Sequence, residues 1–188
     1  MRRVKISVLI LLASLLLFAV CAFLLATRPT LMPTGVPGDS VEFGMTVDEV
    51  QQAAGSPDWA YQDAFWHRDC IYYYYERELL GHTVSMSYQF NDMEENPRAR
   101  VTEVSATYKF DTSEECNKAM EKLCAHFREI MKEEPQFHES TQLGPAHDWD
   151  PPDILQTYTI SSAQRRVRII QYSNHFFLSV ERKTCWTR

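Results

Sequence analysis

Cysteine and histidine are the side chains best suited to catalysis or metal binding, but here they follow no catalytic or metal-binding spacing. The five cysteines and six histidines include no Cys-x-x-Cys pair and no His-x-x-x-His pair, the spacings typical of metal sites. The sequence also lacks a Gly-x-Ser-x-Gly nucleophile motif, a phosphate-binding glycine loop and a dinucleotide fingerprint. We therefore predict a protein that is not an enzyme and uses neither a metal nor a cofactor.

Four of the cysteines lie beyond the N-terminal region: Cys70, Cys116, Cys124 and Cys185. Cys116 and Cys124 are eight residues apart on a predicted helix, about 12 Å, whereas a disulfide requires Cα atoms within about 7 Å. Two interpretations remain open. Either all four are buried thiols that pack as small hydrophobic side chains, or each helix cysteine is bridged to Cys70 or Cys185.

The charge distribution excludes one class of partner. Lys and Arg total 19 and Asp and Glu total 25, a net charge of −6. Residues 1–28 hold four basic side chains and no acidic one, so residues 29–188 hold 15 basic and 25 acidic side chains, a net −10. Because nucleic-acid phosphates require a basic surface, we predict no nucleic-acid partner.

An apolar run over residues 6–26 follows three basic side chains within residues 1–5. As a helix it would extend roughly 30 Å, the hydrocarbon thickness of a bilayer. The basic residues predict a cytoplasmic tail over residues 1–5, a transmembrane helix over 6–26 and an exported body. Cleavage as a signal peptide and lipidation of Cys21 remain alternatives to a retained anchor. Prolines and glycines in residues 27–40 then predict an extended linker.

Residues 41–110 predict one helix followed by three strands. Thr46 and Glu49 form a capping-box pattern before a helix at Val47–Ala54, and Gly55 suits the residue after it. Alternating apolar and polar side chains then indicate strands over residues 71–78, 83–90 and 103–110.

Residues 111–188 repeat this order. An apolar stripe predicts a helix over 113–133, and strands follow over 154–160, 166–171 and 176–182. The fold class we predict is therefore α+β: an N-terminal transmembrane helix, then two units, each a helix with a three-stranded antiparallel sheet. The two units are either a tandem repeat or parts of one α+β domain whose helices alternate with hairpins.

A run of four tyrosines offers the strongest candidate binding surface. Side chains alternate across a strand, so two tyrosines must face each side of the sheet. The outer pair either forms an exposed contact surface or lies under a second layer. Tyrosine and tryptophan are enriched at binding hot spots. The candidate partner-binding residues are Trp59, Trp66, Tyr72, Tyr73, Tyr74 and Tyr75.

The motif Gly44-Met45-Thr46, with Glu49-Val50, Gly55 and Pro57, resembles the G-M-T-x-x-E-V-x-x-x-x-G-x-P signature of the SmpA/OmlA (BamE-like) small lipoproteins. The resemblance covers about residues 41–110. It implies two short helices against a three-stranded antiparallel sheet, and a tandem of such units is similar to the β-lactamase inhibitor protein fold. It also implies an extracytoplasmic, membrane-tethered binding module that is not a catalyst.

We therefore expect a non-catalytic protein-interaction module of the bacterial cell envelope. The membrane would hold it through residues 6–26, with the N-terminus in the cytoplasm, and its partner would be an envelope or secreted protein. One alternative is an extracytoplasmic sensor that encloses a small ligand between sheet and helix. A second is a thiol-dependent enzyme.

Overall fold

The computed structural model of the chain describes residues 14–19, 30–63, 70–79, 81–92, 96, 99–139, 156–172 and 174–183. The chain forms two compact units, Met1–Thr30 and Leu31–Arg188. In the first unit, the described residues 14–19 are helical. Of the helices that the structure describes, none is both long enough and apolar enough to cross a bilayer.

The second unit is built on one large sheet. Its elements in chain order are β1 (Met32–Pro33), β2 (Glu42–Phe43), α1 (Val47–Ala54), β3 (Trp59–Asp63), β4 (Cys70–Leu79), β5 (His82–Phe90), β6 (Val101–Lys109), α2 (Ser113–Met131), β7 (Gln136–Glu139), β8 (Gln156–Ser161), β9 (Arg165–Gln171) and β10 (His175–Arg182). The eight-stranded sheet has the order β3-β4-β5-β6-β10-β9-β8-β7, and all neighbouring strands are antiparallel. β1 and β2 form a separate two-stranded sheet.

The predicted fold class is wrong in two respects. The two three-stranded sheets are parts of a single eight-stranded sheet, because β6 and β10 pair along seven residues of each strand and join the halves. β3 and β7, which sequence analysis missed, extend the sheet at its two edges. The N-terminal transmembrane helix is also not supported, since no described helix meets the requirements for one.

The apolar face of the sheet forms the core together with both helices. Along β5 the buried side chains alternate, so that Val84, Met86, Tyr88 and Phe90 face inward. β6, β9 and β10 continue the same pattern, and their inward side chains join one hydrophobic cluster with residues of α1 and α2. The other face therefore carries the polar side chains of these strands.

The short helix α1 begins and ends as its sequence predicts. Thr46 Oγ1 accepts a hydrogen bond from the Glu49 backbone N–H at 3.1 Å, and the Glu49 carboxylate accepts one from the Thr46 N–H at 2.8 Å. Gly55 follows the helix with φ of 82°, a conformation that favours glycine. The predicted boundaries and capping box are confirmed.

We expect Thr46→Ala to lower the free energy of unfolding by about 0.5–2 kcal/mol, because the Glu49 backbone N–H in the first turn loses the Thr46 Oγ1 that accepts its hydrogen bond. Denaturant titration followed by circular dichroism measures the change. Thr46→Ser keeps the accepting hydroxyl and is the matched control. If Thr46→Ser lowered the free energy of unfolding as much as Thr46→Ala, the capping hydrogen bond would not be the cause.

The long helix α2 covers the inner face of the second half of the sheet. Its buried side chains are Cys116, Met120, Leu123, Cys124 and Phe127, at the spacing of one helical stripe. The helix ends at Met131, two residues before the predicted end, because Lys132 takes a left-handed conformation with φ of 57°. Its N–H donates to the Arg128 carbonyl oxygen and closes the last turn.

The predicted linker over residues 27–40 differs from the structure in its second part. Thr34 and Val36 are buried, and His126 Nε2 of α2 donates to the Gly35 carbonyl oxygen at 2.9 Å. The Arg165 guanidinium of β9 donates to the Pro33 carbonyl oxygen. Residues 31–43 are therefore part of the folded unit, and apolar burial outweighs their proline and glycine content.

Candidate functional site

The outer face of the sheet carries an aromatic group at one edge. In the antiparallel register Trp59 of β3 lies opposite Tyr74 of β4, and Tyr61 lies opposite Tyr72. Because directly opposed residues share a face of the sheet, all four side chains project to the outer side. We call these four residues the aromatic surface.

The aromatic surface is ordered by stacking. The rings of Trp59 and Tyr74 are parallel with centroids 3.8 Å apart. Tyr72 lies 6.4 Å from Tyr74 and 6.2 Å from Tyr61, so the rings form one continuous group. Trp59 is 54% exposed and Tyr61 is 48% exposed. Stacked rings on a strand pair are rigid, and therefore lose little conformational entropy when a partner binds.

The structure separates the predicted tyrosines into two pairs. Tyr72 and Tyr74 are half-buried on the outer face, whereas Tyr73 and Tyr75 are fully buried on the inner face. Tyr73 accepts a hydrogen bond from Gln51 of α1 at 3.2 Å, and Tyr75 donates to the Gly55 carbonyl oxygen. Tyr73 and Tyr75 are therefore core residues, and Tyr72 and Tyr74 are the predicted partner-binding tyrosines that lie on the outer face.

The structure describes one of the two tryptophans predicted to bind a partner. Trp59 belongs to the strand β3 rather than to a loop, and it is exposed on the aromatic surface. Trp66 lies outside the described residues. Tyr61, which sequence analysis missed, alternates with Ala60 and Gln62, and this period of two was a usable signal for a strand.

A shallow groove runs from the aromatic surface across the middle of the outer face. Its volume is about 410 Å³. Tyr72 and Tyr74 form one wall, Phe177 of β10 lies at the far side, and the floor consists of short polar side chains. These are Ser85, Ser87, Ser105 and Thr107. We call this feature the serine groove. The groove forms because the side chains on its floor are smaller than the aromatic side chains at its two sides. This arrangement cannot be recognised in the sequence of any single strand.

One carboxylate dominates the electrostatics of the serine groove. Glu103 of β6 accepts hydrogen bonds from Ser179 at 2.7 Å and Ser105 at 3.4 Å. On the same face Arg166 and Glu181 form an exposed ion pair at 3.4 Å. Burial raises the pKa of the Tyr74 hydroxyl, and the neighbouring Tyr61 raises it further. Tyr74 therefore stays a neutral hydroxyl at physiological pH.

The cysteines lie in two places: Cys116 and Cys124 belong to the hydrophobic core, whereas Cys70 lies two positions from Tyr72 on the same face of β4. Cys116 and Cys124 are buried, free thiols on α2. Burial raises the pKa of the Cys116 thiol, and it raises the pKa of Cys124 to about 11. Cys70 is also buried, and its Sγ accepts a hydrogen bond from Gln89. Cys185 lies outside the described residues.

Within the described residues, no group of three or more His, Cys, Asp or Glu side chains is arranged to hold a metal ion. Comparisons of the chain with protein-family models, with curated proteins and with solved structures find no match. The resemblance to the SmpA/OmlA lipoproteins therefore stays a prediction.

Proposed function

We propose that this protein is a non-catalytic binding module that recognises a protein partner through the outer face of its sheet. The observation that carries the proposal is the stacked, exposed aromatic surface of Trp59, Tyr61, Tyr72 and Tyr74. Large aromatic side chains at the surface are the anchors that dominate binding energy in protein interfaces. The serine groove beside them supplies hydroxyl groups for hydrogen bonds.

A flat strand surface suits a protein better than a small molecule. Small ligands are enclosed by concave, mostly apolar sites, whereas the serine groove is shallow and its floor is polar. A projecting side chain from a partner protein would lie against Tyr72 and Tyr74 and extend over the serines. We therefore assign the aromatic surface to the centre of the interface and the serine groove to a pocket within it.

The partner should present a basic side chain to the serine groove. Glu103 places a negative charge on the groove floor, and residues 29–188 carry a net charge of −10. An Arg or Lys inserted there would meet the Glu103 carboxylate and the faces of the tyrosine rings, which attract cations. Charge of one sign also speeds the encounter with a partner of the opposite sign.

We also propose that the binding takes place outside the cytoplasm, with an envelope or secreted protein as the partner. The support comes from the sequence, where basic residues precede the apolar run of residues 6–26 as in segments that direct export. For Cys116 and Cys124 the thiol-enzyme alternative is disfavoured, because burial raises the pKa of both thiols, that of Cys124 to about 11.

The test is site-specific photo-crosslinking of the full-length chain in intact cells. Benzoylphenylalanine replaces Tyr61 in the aromatic surface in one variant and Phe137 of β7 in the other. Phe137 is the matched control, because it is an aromatic residue of similar exposure (49% against 48%) on the opposite edge strand. We expect a discrete adduct from position 61 and none from position 137.

A second substitution makes the test quantitative. Trp59→Ala in the position-61 variant removes the stacked anchor, and a hot-spot loss of about 2 kcal/mol or more corresponds to at least roughly 30-fold weaker binding. The adduct should then disappear while the thermal unfolding of the protein stays cooperative. Equal adducts from positions 61 and 137, or an adduct that survives Trp59→Ala, would refute the proposed interface.

A further inference from the structure

A second cavity lies on the other side of the sheet, between α2 and the strands. Its volume is about 450 Å³, within the range of roughly 300–1,000 Å³ that is typical of small-molecule sites. Tyr108 of β6 and Phe176 of β10 line it, and both are inward-facing residues. It is therefore separate from the aromatic surface and the serine groove, which lie on the outer face.

The lining of this cavity on the side of the sheet is apolar and rigid. Tyr108 and Phe176 are opposed in the register of β6 and β10, and their rings stack with centroids 4.7 Å apart. Leu123 and Ala119 of α2 and Pro37 complete the apolar lining. A hydrocarbon tail placed here would exchange water for ring and methyl contacts, which is favourable at about 25 cal/mol per Å² buried.

A polar group with no partner also belongs to the lining. Tyr108 is 1% exposed, and its buried hydroxyl forms no hydrogen bond with any residue that the structure describes. A buried hydroxyl without a partner lowers the stability of the folded state. Burial raises the pKa of Tyr108 to about 12, and Asp39 contributes a smaller effect, so the hydroxyl remains a hydrogen-bond donor.

Besides Tyr108, the titratable side chains of the cavity lining are two lysines, two histidines and one glutamate. Lys118, Lys122 and His126 line the rim of the cavity at successive steps of four residues along α2, and therefore lie on one side of the helix. Lys118 forms an ion pair with Glu114 at 2.6 Å. Lys122 forms none with the described carboxylates, and its neighbours four residues away are Lys118 and His126.

The acidic side chain of the rim does not neutralise Lys122. Glu115 accepts a hydrogen bond from Thr112 at the start of α2, two helical turns before Lys122. His126 donates through Nε2 to the Gly35 carbonyl oxygen. Its Nδ1 is then an acceptor in the neutral ring, so the ring orientation is fixed without a carboxylate. The rim therefore offers Lys122 to an anion.

We propose that this cavity binds a small carboxylate with an apolar tail. The tail lies on the Tyr108 and Phe176 rings beneath α2, and the carboxylate lies at the rim near Lys122. This site extends the function of the module beyond its protein interface and does not depend on that interface.

The test uses octanoate and 1-octanol, which have equal chain lengths and differ in the anionic group. Isothermal titration calorimetry measures the affinity of each compound for the purified full-length chain. Chemical-shift changes in the ¹H–¹⁵N spectrum of the protein locate the binding site. We expect octanoate to bind at least about tenfold more tightly than octanol, with shifts at residues of the cavity. No octanoate binding at millimolar concentration, or equal affinity for both compounds, would overturn the proposal.

Lys122→Met and Lys132→Met form a matched pair of variants. Both remove one exposed lysine from the same helix region, but Lys132 does not line the cavity. We expect octanoate affinity to fall about tenfold in Lys122→Met and to stay unchanged in Lys132→Met. An equal effect of the two substitutions would show general charge attraction and refute a carboxylate site at Lys122.

Tyr108→Phe separates a ligand-binding role from a structural one. Because the hydroxyl has no partner among the described residues, its removal should raise the Tm of the ligand-free protein by about 2–4 °C. The same substitution should leave the affinity for octanoate unchanged, because the hydroxyl is buried and the carboxylate binds near Lys122. A lower Tm in the ligand-free protein would show that the hydroxyl has a partner, and weaker octanoate binding would place the carboxylate at Tyr108 rather than at Lys122.

Discussion

Tyr73→Ala is expected to lower the free energy of unfolding by about 3–5 kcal/mol, whereas Tyr74→Ala lowers it by only about 1–2 kcal/mol. Tyr73 is 1% exposed and packs edge-to-face against Phe90 at 5.2 Å, so its removal leaves a cavity in the core. Tyr74 is half-buried and loses mainly its stack with Trp59. Denaturant titrations of the two variants measure the difference.

The two positions should also differ in their effect on partner binding. Tyr74→Ala should abolish the crosslink from the aromatic surface in a protein that remains folded. Tyr73→Phe is the control for the inner position, because it keeps the ring and removes the hydroxyl that accepts the hydrogen bond from Gln51. It should cost about 0.5–1.5 kcal/mol. If Tyr73→Ala and Tyr74→Ala lowered the free energy of unfolding equally, Tyr73 would not be the more buried of the two side chains, and the assignment of the two faces of β4 would be refuted.

Local patterns in the sequence predicted several elements because their causes are local. The boundaries of α1 depend on Thr46, Glu49 and Gly55, which lie within one short stretch of chain. The inward positions of β5 follow from strict alternation over nine residues. The assignment of two tyrosines to each face of β4 also follows from alternation. Which pair faces outward depends on the strands and helices that cover the other pair.

The single sheet was not predictable from such patterns. The pairing of β6 with β10 joins residues about 70 positions apart, and nothing in either strand specifies the other as its neighbour. Both strands alternate cleanly, so each was equally compatible with a small separate sheet. The serine groove depends on the same non-local pairing, because Ser87 of β5, Ser105 of β6 and Ser179 of β10 become neighbours only when the sheet is assembled.

The packing of residues 31–43 was missed although the sequence contains a signal for it. Val36-Pro37-Gly38-Asp39 matches a type II turn, with proline and glycine at its two central positions. Gly38 has φ of 81°, and the Asp39 N–H donates to the Val36 carbonyl oxygen at 3.1 Å. High proline and glycine content indicates a turn as readily as a linker. The buried neighbours that decide between them are distant in the chain.

Asp39 fixes this turn to the sheet. Its carboxylate accepts hydrogen bonds from the hydroxyl of Tyr88 at 2.7 Å, from the hydroxyl of Thr34 at 2.8 Å and from the Val41 N–H at 3.0 Å. Tyr88 is an inward-facing residue of β5, 49 positions further along the chain. One side chain therefore holds the N-terminal segment of the folded unit to the inner face of the sheet.

Asp39→Ala is expected to lower the free energy of unfolding by about 2–4 kcal/mol. The hydroxyls of Tyr88 and Thr34 are buried, and both lose the acceptor that they share. Asp39→Asn is the matched variant, because its amide oxygen still accepts from Tyr88 and Val41 and its NH₂ group can donate to Thr34. In denaturant titrations, the free energy of unfolding of Asp39→Asn should be close to that of the wild type, and that of Asp39→Ala should be well below it. Similar losses for both would contradict the network.

The pH dependence of the same variants tests the charge on Asp39. Burial raises its pKa above the ordinary value of 3.8, an effect that outweighs the opposing hydrogen bonds and the nearby Arg77. The folded state then binds the proton more tightly than the unfolded state, so stability falls as pH rises. The stability of the wild type relative to Asp39→Asn should therefore be greatest below the unfolded pKa of 3.8, decline as pH rises through the folded pKa, and then stay constant. Each tenfold change in proton affinity contributes about 1.4 kcal/mol. A difference that grows with pH would mean that the hydrogen bonds from Tyr88 and Thr34, rather than burial, control the ionisation of Asp39.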